Sequence, residues 1–212
     1  MPQLKIIIFD CDGVLFDSKD ANKHYYNYLL DHFGHPPMNE EELNYVHIHQ
    51  VIDSTRHIFR NYPEDLQKAN EYRMSLEYTP FLKHMNMEPD LLEFLTLARK
   101  SYKTAISTNR TNTMPAVMEM FGLSPYFDMV VTPLDVENPK PHPEALLKIL
   151  NQFKLTAGES IYIGDSMVDR DHSLNCNMPM IAFRNRELPA EYHVDTFMEI
   201  TALPLFNGDF GS

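Results

Sequence analysis

The chain has 212 residues, 43% of them hydrophobic, and a formal net charge of −12 at pH 7. That length supports one sizeable core with a smaller accessory domain, and the acidic balance argues against nucleic acid or anionic membrane as a general partner, since both need basic surface. Two cysteines, Cys11 and Cys176, close at most one bridge, no run is long enough to span a membrane, and the N-terminus lacks a leader's apolar stretch. These features together predict a soluble, cytoplasmic protein with reduced thiols.

In chain order, Ile6–Phe9 is an apolar run that ends abruptly in Asp10 and Asp12. A buried strand ending at Asp10 explains the pattern, because a carboxylate cannot stay inside a sheet core. Gly13 then supplies a turn. Two carboxylates this close repel by about 4 kcal/mol at 4 Å and an effective dielectric of 20. They call for a hard cation such as Mg²⁺, or for one acid to remain protonated.

Apolar positions at helical spacing then predict a helix over 21–33, stopped by Gly34 and two prolines. Asn39 with Glu42 reads as a capping box opening a second helix, Val51, Ile52, Thr55 and Phe59 suit a third, and Pro63 starts a fourth that runs towards Tyr78. From Thr79-Pro80 onward the rhythm alternates. A helix opens at Glu88-Pro89, a strand covers 102–106, a helix runs to Phe121, and a strand covers 127–131. Another helix runs from Pro143 through Leu150, followed by strands over 161–163 and Met180–Phe183. The expected architecture is α/β, a doubly wound parallel sheet whose ligands bind beyond the carboxyl ends of the strands. Residues 19–80 would form an inserted helical domain, with 1–18 and 81–212 as the core.

Four strand-end segments carry chemistry. Asp10 and Asp12 are the first. In Ala-Ile-Ser-Thr-Asn-Arg, Thr108 and Asn109 offer a hydroxyl and an amide suited to an anionic oxygen. Lys140 stands between prolines ahead of a helix, a stiff mount for one point charge. Gly-Asp-Ser-Met-Val-Asp places Asp165 and Asp169 four apart at a strand-to-helix junction, where both could reach a metal. A lone Thr or Lys is usually a cap or solvated surface, and Asp165 and Asp169 could merely cap a helix. Their joint occurrence at successive predicted strand ends is what favours phosphoryl-transfer chemistry.

The spelling FDCDGVLFDS, with STN, PKP and GDSxxD following in order, resembles the haloacid dehalogenase (HAD) superfamily, in its capped phosphoglycolate phosphatase and β-phosphoglucomutase-like branch. The resemblance implies a Rossmann-like core with a helical cap. It implies Asp10 as a nucleophile forming an aspartyl-phosphate, Asp12 as general acid and base, and Thr108, Asn109 and Lys140 as phosphate-binding groups. It further implies Mg²⁺ held by Asp10, Asp12 through its backbone carbonyl, Asp165 and Asp169, the last as ligand or support. Asp12 favours phosphoryl transfer over dehalogenation, where halide leaves without a proton. The expected function is a Mg²⁺-dependent phosphatase acting on a small phosphorylated metabolite. The alternatives are a sugar phosphomutase and a non-catalytic phosphometabolite binder. Substrate identity, oligomeric state and the cap residues that meet substrate are left open, as is Arg110, which could touch substrate or pair with an acid.

Three tempting groups are weighed down. Cys11 should point into the core beside the acids, as an inert thiol. His47, His49 and His57 lie in a helical region where His-x-His does not share a face, so a surface role is preferred over a metal site. Tyr25, Tyr26 and Tyr28 read as packing rather than a nucleotide platform.

Overall fold

Four residues without a polar side chain gain most by leaving water altogether, and in the computed structural model Ile6–Phe9 forms β1, buried along its whole length. The structure describes residues 3–49 and 51–206. By its internal contacts the chain divides into two units, one of Met1–Phe16 with Met87–Ser212 and the other of Asp17–Asn86. Two short strands, β2 (Phe16–Asp17) and β3 (Asn86–Met87), pair where the chain passes from one unit to the other and back.

In the first unit β1 is joined by β4 (Lys103–Ser107), β5 (Met129–Val131), β6 (Ser160–Gly164), β7 (Met180–Phe183) and β8 (Tyr192–Val194). They form one six-stranded sheet in the order β5-β4-β1-β6-β7-β8, and every pairing is parallel. The chain moves one way from β1 to β4 and β5, then crosses to the other side for β6 to β8. Strand order therefore reverses beside β1, where an open α/β sheet leaves a crevice at its carboxyl edge. Register fixes what stands there. Phe9 pairs with Ile106 on one side and with Ile163 on the other, so Asp10 comes level with Ser107 and Gly164.

A parallel sheet must be covered on both faces, and alternation along β1 assigns the two covers. Ile6 and Ile8 share a cluster with Ala105, Tyr162, Met180 and Ala182, packed under Ala145, Leu146, Ile149 and Leu150 of the helix Glu144–Phe153. Phe9 faces the other way, with ring centroids 5.6 Å from Phe127, 6.2 Å from Phe94 and 6.1 Å from Phe197. Phe94 lies on the helix Leu91–Ala98 and Phe197 on Phe197–Ile200. Two further helices, Met114–Met120 and Met167–Asn175, complete the unit's α-helices among the described residues.

The second unit is helical. Its four helices are α1 (Lys19–His32), α2 (Glu40–Ile48), α3 (Val51–Ile58) and α4 (Leu66–Ser75), followed by a 3-10 turn over Thr79–His84. Their apolar faces meet in a core of Tyr25, Tyr26, Leu29, Leu30, Leu43, Val46, Ile58, Phe59 and Ala69. Tyr28 is exposed on the far side of α1. Asn39 caps α2 as expected, accepting from the Glu42 backbone N–H at 2.9 Å while Glu42 accepts from the Asn39 N–H at 3.0 Å.

Differences from the sequence expectation are local. The fourth helix starts at Leu66 rather than Pro63, because the residues just before it form turns in which the Asp65 N–H donates to Tyr62. The helix expected from Glu88-Pro89 starts at Leu91, after Asp90 at its N-cap. Strand β4 lies one residue later than predicted, and β8 and the short helix after it were not anticipated. Among the described residues no helix is long and apolar enough to cross a membrane.

Candidate active site

The carboxyl ends of β1, β4 and β6 carry the candidate residues to one edge. Asp10 follows β1 directly, and its backbone N–H donates to the Ile163 carbonyl at 2.9 Å, continuing the ladder one residue past the strand. Its carboxylate is buried. A buried acid needs a partner, and Lys140 supplies it, with Nζ 2.7 Å from Asp10 Oδ1. The same Nζ lies 2.7 Å from Asp169 Oδ1 and donates to the Tyr162 hydroxyl at 3.0 Å. All three ammonium hydrogens are thus engaged. Burial alone would lower the lysine's pKa, but Asp10 and Asp169 outweigh it and raise it.

Asp169 sits at the third position of the helix Met167–Asn175, whose N-cap is Ser166. Its Oδ2 accepts from the Ser166 hydroxyl at 2.6 Å and from the backbone N–H groups of Ser166 and Asp165, at 3.2 and 3.3 Å. Its Oδ1 accepts from Lys140 and from the Tyr162 hydroxyl at 2.8 Å. Burial pushes its pKa up, yet the Lys140 charge and these bonds hold it below the usual carboxylate value. Asp169 is therefore a satisfied anion with both oxygens occupied.

Asp10 and Asp165 behave oppositely. Burial is the chief cause that pushes Asp10 up to about 7, with Asp169 adding to it against the pull of Lys140. Asp165 is pushed up to about 8 by burial, then by Asp10 and Asp169. Asp10, Asp165 and Asp169 each place an oxygen within 4.8 Å of the others. One lysine among three acids leaves the cluster short of positive charge, and a hard divalent cation with oxygen ligands matches that deficit. The donor set fits such an ion. Asp10 and Asp165 would hold it most directly, because the oxygens of Asp169 are already taken.

Glycine makes the cluster possible. Gly13 has φ +82°, and a Cβ there would stand 2.1 Å from Asp165 Oδ2; at Gly164 it would stand 2.4 Å from the Asp169 Cβ. We expect Gly13→Ala to cost roughly 1–2 kcal/mol in backbone strain. It should also displace Asp165, lowering divalent-cation affinity at least tenfold while the far-ultraviolet circular dichroism is retained. Calorimetric titration with Mg²⁺ reads this directly, and wild-type affinity in the variant would contradict it.

The remaining candidates converge on the same edge. Thr108 is buried after β4, and its Oγ1 accepts from the Arg110 N–H at 3.1 Å. Asn109 donates from Nδ2 to the Lys140 carbonyl at 3.3 Å, tying the two loops together. Asp12 is bound by Arg110, whose Nε donates to Oδ2 at 3.0 Å and whose Nη2 donates to Oδ1. Of the two readings of Arg110, the pairing with an acid is the one observed.

Two residues that sequence reasoning passed over join the site. Tyr162 sits in the middle of β6 among isoleucines, and its buried hydroxyl meets Lys140 and Asp169. A hydroxyl set between two isoleucines was the available signal. His172, fully buried, contacts the Ser107 hydroxyl at 3.0 Å and the His142 carbonyl at 2.8 Å. Burial, then the Lys140 charge, lowers it to about 4, so it is neutral, with Nδ1–H donating to the carbonyl and Nε2 accepting.

Cys11 points inward and is fully buried; burial, followed by the adjacent Asp12, raises its thiol pKa well above the usual value, which makes it inert. His47 and His49 are exposed, while His57 and His49 stack on opposite sides of Tyr45 at 3.7 and 3.8 Å.

Comparison with known proteins places this edge in context. A family model described as haloacid dehalogenase-like hydrolase matches residues 7–183. The chain is similar to a solved structure from Geobacter sulfurreducens PCA, described as a HAD-superfamily hydrolase of subfamily IA, variant 1. Identity is 34%, the TM-score 0.86, and the match covers 94% of this chain and 95% of that one. Among curated relatives, phosphoglycolate phosphatase of Rhodobacter capsulatus is 26% identical, covering 93% of this chain and 94% of its own length. Pyrophosphatase PpaX of Bacillus pumilus is 26% identical, covering 78% and 76%.

Proposed function

Because this chain belongs to the haloacid dehalogenase-like hydrolase family, we propose that it is a Mg²⁺-dependent phosphatase hydrolysing a small phosphorylated metabolite through an Asp10 phosphoenzyme. The observation that carries this reading is the Asp10, Asp165 and Lys140 cluster. Two acids there are raised to about 7 and 8 by burial and then by their acidic neighbours, as expected of a centre whose working state includes a cation. The names of the relatives, a phosphoglycolate phosphatase and a pyrophosphatase, support a small phosphorylated substrate.

In this reading an Asp10 oxygen attacks phosphorus as the bond to the leaving oxygen breaks, and Asp12 gives that oxygen its proton. Asp12 then takes a proton from the water that attacks the aspartyl-phosphate, so that inorganic phosphate departs and Asp10 is restored. Thr108, Asn109 and Lys140 hold the transferring oxygens. Asp10, Asp165 and the Asp12 carbonyl would hold Mg²⁺, and Asp169 would orient Lys140 and the loop at Asp165 through its hydrogen bonds. Bound there, the metal supplies the positive charge that lets a carboxylate approach a phosphate dianion. The helical unit is assigned the role of a cap that selects the substrate, and the setting is cytoplasmic.

Phosphate release tests the reading, using phosphoglycolate, pyrophosphate, sugar phosphates, nucleoside monophosphates and 4-nitrophenyl phosphate, with Mg²⁺ or with EDTA. We expect release from at least one alkyl ester and a loss of 100-fold or more in EDTA, the order expected when charge stabilisation is removed from such a site. Silence across the panel from folded, Mg²⁺-binding protein would sink it.

A further inference from the structure

We infer that Arg110 is a positioning residue for Asp12, holding its carboxylate in the one orientation from which it can serve the leaving oxygen; the inference rests on the phosphatase reading above. Arg110 follows Thr108 by two, and its own backbone N–H on Thr108 Oγ1 turns the loop after β4 towards Asp12. The guanidinium meets Asp12 as a fork, Nε on Oδ2 and Nη2 on Oδ1, while Nη1 donates to the Thr113 hydroxyl at 3.2 Å. Thr113 is itself buried at the start of the helix Met114–Met120. The Arg110 side chain is 8% exposed and that of Asp12 39%, so the buried partner is the anchor and the open one is what it holds.

A two-point contact between two planar groups fixes the plane of the carboxylate as well as its distance. The Asp12 backbone is fixed too. Residue 12 bridges to Phe16, the Gly13 N–H donates to the Phe16 carbonyl at 2.8 Å, and the N–H groups of Leu15 and Phe16 converge on the Cys11 carbonyl. With the main chain held by this turn and the carboxylate by the fork, neither side-chain torsion of Asp12 is left to solvent. Each carboxylate oxygen still has a second lone pair to present. A lysine could offer the charge but not the plane, which distinguishes orientation from simple attraction.

Leaving-group dependence reads the difference. Nitrophenolate is a weak base and departs without a proton, whereas an alkoxide needs one. The experiment compares kcat/KM of wild type, Arg110→Gln and Arg110→Lys on 4-nitrophenyl phosphate and on the alkyl phosphate that wild type cleaves fastest, with thermal melts to verify folding. Proton transfer from a positioned group is worth about 100-fold or more. Both variants should therefore lose about 100-fold on the alkyl ester and at least tenfold less than that on the nitrophenyl ester. Equal losses on the two esters, or full rescue by lysine, would overturn the inference. If Arg110→Gln does not fold, Arg110→Lys carries the same comparison. No release by wild type on any ester would instead defeat the phosphatase reading, and this inference with it.

Discussion

Asp10→Asn is expected to abolish turnover, with a fall in phosphate release on the order of 10⁴-fold or more, the scale seen when a covalent nucleophile is removed. Asparagine matches aspartate in size and can still accept from Lys140, so the β1 terminus, the Ile163 bond and the sheet register should survive. What goes is the charge, and with it the nucleophile. Above about pH 7, where Asp10 would otherwise have to ionise beside the other acids, the variant should therefore melt at or above the wild-type temperature in EDTA. A short acid quench during turnover should trap phosphate on wild-type protein and none on the variant. Retained activity in Asp10→Asn would remove the phosphoenzyme from consideration.

Lys140→Met addresses the same cluster from the opposite side. The lysine is almost fully buried and is bonded to Asp10, Asp169 and Tyr162. Removing one partner of a buried ion pair costs about 3–5 kcal/mol because the other charge is stranded. For a chain of this size that is a melting shift on the order of 10 °C. The shift should depend on pH. In metal-free wild type, Asp10 and Asp165 keep their protons up to about 7 and 8 when folded, but ionise near 4 in the unfolded chain. The folded state then binds more protons between those values, so stability is fully present below about pH 4 and is lost as pH rises towards 8. Asp169, held low, opposes this from the acid side. Without the lysine the acids can escape only by protonation, so Lys140→Met should be mildly destabilised at pH 5 and severely at pH 8. Melting curves in EDTA at the two pH values measure this, and a pH-independent shift would show that Lys140 acts through packing. Mg²⁺ should recover more stability at pH 8 than at pH 5.

The placement of Asp10, Thr108 and Asp165 was legible in the sequence because each follows an apolar strand, and in a parallel sheet that one local fact places a residue at the ligand edge, whereas Lys140 lies well beyond the end of β5. The run before Asp10 announced β1, and the strands before Thr108 and Asp165 announced β4 and β6, even with β4 set one residue early. What local pattern could not deliver was partnership. Arg110 and Asp12 are 98 positions apart and meet only because β4 lies beside β1. Tyr162 read as another core residue of an apolar strand, since nothing local says that its hydroxyl will find Lys140 from 22 positions away. Strand β8 is three residues long and only partly buried at the sheet edge, so its apolar signal is faint.

The lysine at the centre of the cluster has one further property, best put in the language of coordination chemistry. An ammonium group has three positions to offer, and at Lys140 Asp10, Asp169 and Tyr162 fill them all. It resembles a coordinatively saturated ion. A phosphoryl oxygen can bind it only by substitution, taking the place of one incumbent rather than adding a fourth. Tyr162 carries no carboxylate and has the longest bond, 3.0 Å against 2.7 Å for each acid, which makes it the natural leaving ligand.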